Sequence, residues 1–435
     1  MTETKPLPVA IIGAGPIGLA AAANLVERGL QPLIFEAGPR IASSLWDWRH
    51  VKLFTPWSYL IDPPSRRLLE AQTDWQAPND QAVPLAKELV EQFLDPLASL
   101  EGIAETLHLR HKVVSVAKNG HDRMKNGVRE EAPFLIVTET PDGPQRYLAK
   151  TVIDASGTWT TPNPLGAGGV PADGEDRYQA RIRYGMPDVL GRERQRYAGK
   201  RTLVVGSGHS AIGSVLSLAE LGESEPGTLV AWAVRKTDPR KLWGGGEADE
   251  IAERGKLGTL VAEAVNAGAV TLLTGLSISA LRRHPDGIEV VDVDGHGQVV
   301  VDEIVVAAGA RPNLEMLREL RLELDLATEA AKDLGPMIDP NFHSCGSVKP
   351  HGFEELGHPE EGFFIAGMKS YGRAPTFLLR TGYEQVRSIV AHLAGDAEAA
   401  KRVELILPET GVCSTSLAFD DAAAETPEVS VAATV

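Results

Sequence analysis

Cysteine is nearly absent from this sequence. Its 435 residues include two cysteines, Cys345 and Cys413, which lie far apart in the chain. This scarcity excludes a disulfide framework and a cysteine-rich metal or iron–sulfur site. It also argues against a redox site built on two closely spaced cysteines. So few cysteines fit a reducing compartment, and we expect a cytoplasmic protein.

Positive charge is also scarce. The 43 Lys and Arg residues are outnumbered by 59 Asp and Glu residues, which gives a formal net charge of −16. Binding to a phosphate backbone relies on clustered Lys and Arg side chains. Nucleic acid is therefore excluded as the main partner.

A long uninterrupted apolar run is missing as well. The most apolar stretch, 9–26, is broken by three glycines and Pro16, and Lys5 is the one positive charge before it. No A-x-A cleavage pattern follows, so the stretch is not expected to be a signal peptide, and no membrane partner is expected. The chain length fits two or three domains at about 150 residues per domain.

The interrupted stretch has the pattern of a dinucleotide-binding turn. Its glycines have G-x-G-x-x-G spacing: Gly13, Gly15 and Gly18. A strand is predicted over 8–12, a helix over 19–28 that ends at Gly29, and a second strand over 32–35 that leads into Glu36. Such a turn lets a pyrophosphate approach the helix N-terminus, while the carboxylate binds ribose hydroxyls. A carboxylate suits an unphosphorylated ribose, as in FAD.

The same pattern returns in the middle of the chain. A short apolar strand leads into the second turn, which consists of Gly206, Gly208 and Ala211. A helix is predicted over 211–221 with Gly222 as its cap, followed by a strand over 229–234. That strand ends at Arg235 and Lys236 rather than at an acid, and a guanidinium can bind a 2′-phosphate. The second turn is therefore predicted to bind NADPH.

The other predicted elements complete two βαβ units. Further strands are predicted over 113–117, 134–139, 147–153, 303–308 and 362–366. A final helix is predicted from Pro375, placed in its first turn, to Leu393. The predicted fold class is α/β, with two Rossmann-like dinucleotide-binding domains and the NADPH domain inserted in the FAD domain.

The predicted domain boundaries lie where the chain is expected to pass from one unit to the other, near residues 160 and 310. The FAD domain is expected to comprise 1–160 and 311–396, and the NADPH domain 161–310. A C-terminal extension, 397–435, is expected to be partly disordered because its Ala-rich end has little apolar bulk.

The residues expected to bind one or the other cofactor lie in the two turns and at strand ends. They are Gly13, Gly15, Pro16, Ile17, Gly18, Glu36, Ala37, Trp46, Val114, Ala155, Gly157, Gly206, Ser207, Gly208, His209, Ser210, Ala211, Arg235, Lys236, Gly309, Arg311, Gly367 and Thr376.

The chain resembles flavoproteins with two dinucleotide-binding domains, most closely the flavin-containing and N-hydroxylating monooxygenase group. The resemblance covers residues 8–395 and is carried by 9–20, by Trp46 with 53–56, and by 199–211. In that group NADPH reduces FAD, dioxygen reacts with the reduced flavin, and one oxygen atom passes to a soft nucleophile. The resemblance implies a small-molecule substrate and dioxygen as co-substrate. It leaves open whether the chain forms a homodimer.

Three positions depart from the patterns of related flavoproteins. They are Leu190 where that group has a His, Ser43-Ser44 in place of a glycine pair, and Gly367-Met368 in place of a Gly-Asp. The Gly-Asp is the pair with which disulfide-reductase relatives bind the flavin ribityl chain. The last departure therefore argues against the disulfide-reductase branch.

The loop 368–376 is a candidate for stabilising the reduced flavin. Reduced flavin carries negative charge, which a helix N-terminus and a nearby cation stabilise. The backbone N–H groups of Thr376 and Phe377 are expected to face this charge. Arg373, with Lys369 as the alternative, is expected to supply the cation, and Arg373 is a catalytic candidate.

Two further catalytic candidates lie elsewhere. Lys52 belongs to an aromatic and basic segment expected to re-enter the flavin site, and Cys345 is a candidate redox or substrate-facing thiol, alone or with Cys413. His343, Cys345 and His351 lack the ligand number and spacing of a tetrahedral zinc site, so no metal is predicted.

Two other function classes stay open at this point. One is a flavoprotein reductase or oxidase that uses Cys345 and Cys413. The resemblance to similar flavoproteins associates this class with arsenical or thiol chemistry. The other is a redox-sensing protein that binds both cofactors without turnover. The monooxygenase is the leading interpretation.

Overall fold

The computed structural model describes residues 6–243, 251–343, 348–375 and 377–405. Its strands are β1 Val9–Ile12, β2 Pro32–Glu36, β3 Leu107–Leu109, β4 Lys112–Lys118, β5 Phe134–Glu139, β6 Gln145–Ala149, β7 Thr151–Asp154, β8 Ile182–Tyr184, β9 Arg201–Val205, β10 Leu229–Ala233, β11 Val270–Leu273, β12 Ile278–His284, β13 Gly287–Asp292, β14 Gly297–Val301, β15 Glu303–Val306 and β16 Phe363–Ile365.

The α-helices vary from single turns to four turns in length. They are α1 Pro16–Glu27, α2 Ser43–Asp47, α3 Trp57–Leu60, α4 Pro63–Gln72, α5 Ala86–Leu89, α6 Asp95–Ala98, α7 Arg194–Tyr197, α8 His209–Ser224, α9 Ala252–Asn266, α10 Gly335–Ile338, α11 Leu379–Leu393 and α12 Ala397–Lys401.

The first sheet is parallel and has the order β16-β7-β1-β2-β3. Every residue of the central strands β1 and β7 is buried, as is usual for parallel strands covered on both faces. Helices α1 and α11 contribute to the largest apolar core on one face of this sheet. Because the strands are parallel, the ends of β1, β2, β7 and β16 meet at one edge, where ligands bind in open α/β sheets.

The second parallel sheet has the order β11-β10-β9-β15-β8. Helix α8 packs its buried side chains, such as Val215 and Leu218, against this sheet. Two antiparallel three-stranded sheets accompany the parallel ones, β4-β5-β6 and β12-β13-β14. The predicted α/β class with two dinucleotide-binding units is confirmed.

The second sheet is inserted in the first along the chain. Strands β8 to β15 lie between β7 and β16 in the chain. The two segments in which the chain passes between the units are joined by an isolated β-bridge between Pro162 and Ala310. These positions are close to the predicted domain boundaries at 160 and 310, which stay a prediction. Most of the predicted extension 397–435, including Cys413, lies outside the described residues.

Two predicted elements are wrong in detail, the strand over 147–153 and the helix cap at Gly222. The strand predicted over 147–153 is two strands, because the chain leaves the antiparallel sheet after β6 and enters the first parallel sheet at β7, with Lys150 N donating to Pro8 O at 2.9 Å. Gly222 lies inside α8, which continues to Ser224, rather than capping it. These misplacements reflect contacts between sheets and helices that a local pattern does not contain.

The last helix begins at Leu379, so the prediction that Pro375 lies in its first turn is wrong. Two hydrogen bonds hold the preceding residues outside the helix. Arg373 N donates to Thr328 O at 2.7 Å, and Ala374 N donates to Tyr371 O at 2.9 Å. Leu378 is extended, and Phe377 precedes the helix rather than belonging to its N-terminus.

None of the helices in the described residues combines the length and the apolar character that crossing a membrane requires. The same residues contain no group of three or more His, Cys, Asp and Glu side chains arranged to hold a metal ion.

Candidate active site

The first glycine turn (residues 13–18) joins β1 to α1. Gly13 has a φ of +100°, and a Cβ there would lie 2.8 Å from the Ala155 carbonyl oxygen. A Cβ at Gly18 would overlap the Gly13 carbonyl oxygen, whereas a Cβ at Gly15 would meet nothing within 4 Å. Gly15 is the N-cap of α1 and no side chain caps that end. The turn is therefore packed tightly on the protein side and open at Gly15, as a pyrophosphate cradle requires.

Glu36 lies beside this turn, at the end of β2. Its carboxylate accepts hydrogen bonds from Ala14 N at 3.0 Å and Gly38 N at 2.8 Å. Burial raises the pKa of Glu36, while these two backbone N–H groups act in the opposite direction. The carboxylate is held at the position where the fingerprint places the ribose hydroxyls.

The second glycine turn (residues 206–211) joins β9 to α8 and repeats this construction. Gly206 has a φ of +133°, and a Cβ there would overlap the Ala307 carbonyl oxygen. Gly208 is the N-cap of α8, and a Cβ there would meet nothing within 4 Å. Trp232 Nε1 donates to Gly206 O at 2.7 Å and braces the turn from β10.

The registers of the two sheets show which residues correspond. Ile12 pairs with Phe35 in the first sheet, and Val205 pairs with Ala233 in the second. Val234 is thus the counterpart of Glu36, and Arg235 stands one residue further on. Val234 is buried and Arg235 is exposed, with its Nη1 3.3 Å from Ala167 O. No carboxylate occupies the position in the second unit that would repel a 2′-phosphate.

The loops that follow β7 and β16 complete the edge of the first sheet. Gly13 packs against Ala155, and Gly157 has a φ of +69° with open space at its Cβ position. Gly367 has a φ of +73°, and a Cβ there would lie 3.1 Å from Ile17 Cγ1. The predicted residues Ile17, Ala155, Gly157 and Gly367 therefore lie around the first glycine turn.

Lys369, rather than Arg373, is the cation buried at this edge. Its Nζ lies 2.6 Å from Asp154 Oδ2, and both side chains are 0% exposed. Arg373 forms an ion pair with Glu329 at 2.6 Å, and its side chain is 43% exposed. The structure therefore directs Arg373 to a surface partner, and its catalytic role stays a prediction. Thr376 lies outside the described residues.

The structure describes one of the other two catalytic candidates, Lys52. Lys52 forms an ion pair with Glu253 at 3.1 Å, between the segment after α2 and helix α9. Cys345 lies outside the described residues. Neither role is decided by these positions.

Residues 46–54 (the bridging segment) contact both units. Trp46 packs against the core of the first sheet, with the Arg40 guanidinium 3.6 Å from the centre of its ring. Phe54 lies 5.3 Å from His209 of the second glycine turn, measured between ring centroids. Asp47 Oδ2 accepts a hydrogen bond from Trp159 Nε1 at 3.0 Å. The segment expected to re-enter the flavin site thus also contacts the second glycine turn.

Three further predicted residues, Val114, Gly309 and Arg311, lie on β4 or where the chain passes between the two units. Val114 is on β4, at a register shift between Val113 and Ser115. Arg311 donates to Asn163 Oδ1 at 2.9 Å and to Gly169 O at 3.1 Å, so it ties together the two crossings between the units. Asn163 N donates to Gly309 O at 2.9 Å in the same place.

A surface depression of about 300 Å³ lies beyond the end of β2. Ala37, Arg110 and Lys112 are among the residues that line it. It adjoins Glu36 through the chain, since Ala37 follows that residue directly.

His351 is buried, and both nitrogens of its ring have hydrogen-bond partners. Its Nε2 lies 2.9 Å from Gln385 Nε2, which can only donate, so Nε2 accepts and Nδ1 carries the proton toward Lys349 O at 3.1 Å. Gln385 Oε1 is already occupied by Gly367 N at 2.8 Å, which fixes the orientation of the amide. Burial lowers the pKa of His351.

Sequence reasoning missed Asp154 and Gln385. A signal for Asp154 exists, because this charged residue directly follows the apolar pair Val152-Ile153 at the end of a strand. Gln385 has no such signal, because its complete burial in α11 depends on the segments packed around the helix.

Comparison with known proteins identifies relatives of this arrangement. The profile of the pyridine nucleotide-disulphide oxidoreductase family matches residues 10–341. Ferredoxin–NADP reductase 1 of Cupriavidus necator is 27% identical over 322 residues, which cover 71% of this chain and 73% of that protein.

Solved structures share the fold across most of the chain. Bacillithiol disulfide reductase Bdr of Bacillus cereus has a TM-score of 0.64 and 19% identity, and the match covers 90% of this chain and 99% of that one. The desferrioxamine-pathway cadaverine monooxygenase DfoA of Erwinia amylovora has a TM-score of 0.63 and 14% identity, with 93% and 99% covered. At these identities the likeness concerns the fold alone.

Proposed function

The chain belongs to the pyridine nucleotide-disulphide oxidoreductase family and is an FAD- and NAD(P)H-dependent oxidoreductase, and from this premise we propose that it is an NADPH-consuming monooxygenase of a small soft nucleophile. In the net reaction, NADPH, a proton, dioxygen and the substrate give NADP⁺, water and the oxygenated substrate. One oxygen atom enters the product, and NADPH supplies the two electrons that reduce the other to water.

The observation that carries this proposal is a pair of alike nucleotide cradles in a sequence without a closely spaced cysteine pair. Both glycine turns are open at the helix N-cap, at Gly15 and Gly208. The two cysteines of the sequence, Cys345 and Cys413, lie far apart in the chain. Electrons that leave the flavin therefore need an acceptor other than a local protein dithiol, and dioxygen is such an acceptor.

The residues of each cradle have distinct tasks in this proposal. The N-terminus of α1 binds the FAD pyrophosphate, and Glu36 accepts from the ribose hydroxyls. The N-terminus of α8 binds the NADPH pyrophosphate, and Arg235 binds the 2′-phosphate. Bound FAD supplies the two-electron chemistry that links NADPH to dioxygen. The bridging segment, through the contact of its Phe54 with His209 of α8, aligns the two nucleotide-binding units and limits the access of water.

A reductase is the second candidate, favoured by the match to a ferredoxin–NADP reductase. In that case the two electrons of NADPH would leave one at a time to two molecules of a one-electron carrier protein, or together to a disulfide, including one that involves Cys345 and Cys413. The formal net charge of −16 works against docking of an acidic carrier, because like charges repel across an interface.

Oxygen isotope incorporation tests the proposed function. NADPH oxidation is measured under ¹⁸O₂ with a panel of amines, organic sulfides and thiols, together with hydrogen peroxide release. We expect at least one compound to raise NADPH oxidation, to lower peroxide release and to acquire one ¹⁸O atom. NADPH oxidation that requires a disulfide or a one-electron acceptor and proceeds equally without dioxygen would refute the monooxygenase. The Cys345→Ser and Cys413→Ser variants are expected to retain full activity.

Cofactor preference is expected to depend on Arg235. The Arg235→Ala variant should lose about 10- to 100-fold in the ratio of kcat/KM for NADPH to kcat/KM for NADH, because it removes charge-assisted hydrogen bonds to the 2′-phosphate. Steady-state kinetics with both nucleotides measure this ratio. Arg282→Ala, which removes an exposed arginine on β12, is the matched control and should leave the ratio unchanged. An unchanged ratio in Arg235→Ala would show that the 2′-phosphate binds elsewhere.

A further inference from the structure

The loop after β16 is fastened to the first glycine turn from one side. This loop forms a 3₁₀ helix over Gly367–Tyr371. Gly367 lies against Ile17 in the first turn of α1, and Gly367 N donates to Gln385 Oε1 at 2.8 Å. Gln385 Nε2 donates to Ser370 Oγ at 2.9 Å. The position of the loop is therefore set by α1 and α11.

A buried ion pair fastens the same loop from the other side. Lys369 Nζ lies 2.6 Å from Asp154 Oδ2 and 3.2 Å from Ser156 Oγ. The second carboxylate oxygen, Asp154 Oδ1, accepts from Ser156 N at 3.1 Å and from Ser156 Oγ at 2.6 Å. The Ala155 carbonyl oxygen and the Ser156 Cα atom both pack on Gly13. The ion pair thus joins the loop after β16 to the loop that supports the first glycine turn.

Stability alone is a weak reason for such a pair. Both side chains are 0% exposed, and removing two charges from water costs about as much as their mutual attraction returns. The neighbouring Arg373 has a partly solvated partner, as most charged residues do. A charge pair retained at full burial, between two loops at the edge where the cofactor binds, indicates a role in fixing geometry.

We propose that Lys369 is a positioning residue for FAD. Through Asp154 and Ser156 it holds the loops 154–157 and 367–371 at a fixed separation, so that the FAD site is assembled before the cofactor binds. The inference depends on FAD as the cofactor and not on the acceptor of its electrons. Its test is therefore independent of the proposed monooxygenation.

FAD binding by charge-removing variants tests this role. Lys369→Met and Asp154→Asn are prepared separately and together, and FAD is titrated into each apoprotein by quenching of flavin fluorescence. We expect each single variant to raise the Kd for FAD at least about tenfold, because it leaves one buried charge without its partner. The double variant should bind more weakly than the wild type, yet better than the product of the two single effects predicts, because the residues act as a unit.

Controls separate positioning from loss of fold. Lys401→Met removes a lysine of α12 whose ion pair with Glu354 is exposed, and it should change the Kd for FAD less than about twofold. NADP⁺ affinity, measured by calorimetry, should be unchanged in every variant, because the second glycine turn lies in the other sheet. Lys369→Arg should restore most of the FAD affinity and the visible circular dichroism of bound FAD, which Lys369→Met alters.

Three results would overturn the proposal. The first is a Lys369→Met variant with normal NADP⁺ affinity and a wild-type Kd for FAD. The second is a double variant that binds FAD as the wild type does, which would mean that only the unpaired charge matters and not the link between the loops. The third is an unaltered circular dichroism spectrum of bound FAD in Lys369→Met. If Lys369→Met does not fold, the double variant, in which both charges are neutralised, decides between these outcomes.

Discussion

Replacing Gly18 with alanine is expected to abolish FAD binding and to destabilise the apoprotein by about 3 kcal/mol or more. A Cβ at this position would overlap the Gly13 carbonyl oxygen, which is backbone and has little freedom to move. The methyl group would separate α1 from β1, and α1 carries several fully buried residues of the largest core. Flavin fluorescence titration and urea unfolding of the apoprotein measure the two effects.

Gly15→Ala is the matched control for this prediction. A Cβ at Gly15 meets nothing within 4 Å, and the φ of −81° is accessible to alanine. The apoprotein should therefore remain within about 1 kcal/mol of the wild type, the usual cost of alanine at an N-cap. The methyl group would fill the space that the pyrophosphate enters, so the Kd for FAD should rise about tenfold or more. Equal apoprotein stabilities for Gly15→Ala and Gly18→Ala would contradict this account of the turn.

Asp62 is expected to make the folded protein less stable as the pH rises, the opposite of the effect of a carboxylate whose pKa is lowered by folding. This residue is buried at the N-cap of α4, where Oδ2 accepts from Ser65 N at 3.1 Å and from Ser65 Oγ at 2.7 Å. Burial raises the pKa of Asp62 from its ordinary value of 3.8 to about 7. Between these pH values the folded protein keeps a proton that the unfolded chain releases. Its contribution is therefore fully present below pH 3.8 and is lost as the pH rises toward 7.

The Asp62→Asn variant should lack this loss. At up to about 1.36 kcal/mol per pH unit, the free energy of unfolding of the wild type should fall relative to that of the variant by about 3 kcal/mol between pH 4 and pH 7. Urea unfolding of both proteins across this range gives the difference. A difference that stays constant with pH would mean that Asp62 ionises normally in the folded protein.

Asp396→Asn provides a control of opposite sign. Asp396 is the N-cap of α12, where it accepts from Ala399 N at 3.1 Å, but its side chain is 44% exposed. The backbone N–H of Ala399 and the nearby Arg28 lower the pKa of Asp396. Its contribution is therefore present above its ordinary pKa and lost as the pH falls. The two N-cap aspartates should thus give pH profiles with opposite slopes.

The strands and turns of the two nucleotide sites could be predicted closely from the sequence. The strand predicted over 8–12 is β1, the strand before Glu36 is β2, and Gly29 follows α1 with a φ of +69°. These features depend on neighbouring residues, because buried strands need apolar runs and a left-handed backbone favours glycine. Helix ends were less predictable, and Pro375 proved to lie outside α11, since Arg373 bonds to Thr328 and Ala374 bonds back to Tyr371.

The partners of charged side chains could not be predicted. Sequence reasoning placed Arg373 ahead of Lys369 near the flavin, since both lie in the same loop and both are cations. The structure pairs Arg373 with Glu329 and buries Lys369 against Asp154. The choice depends on the sheet order β16-β7-β1, which brings the loop after β16 to the end of β7.

The sequence by itself determined that this protein has two nucleotide turns, that an acid ends the second strand of the first unit, and that basic residues follow the corresponding strand of the second. Each of these properties lies within a few residues of chain and follows from local steric and charge requirements. Only the tertiary structure decided that Val234 is the counterpart of Glu36, that the bridging segment contacts the second glycine turn, and that Lys369 is the buried cation. These depend on strand register and on contacts between distant segments, because a side chain's burial and its partner are properties of the packed fold rather than of its neighbours in sequence.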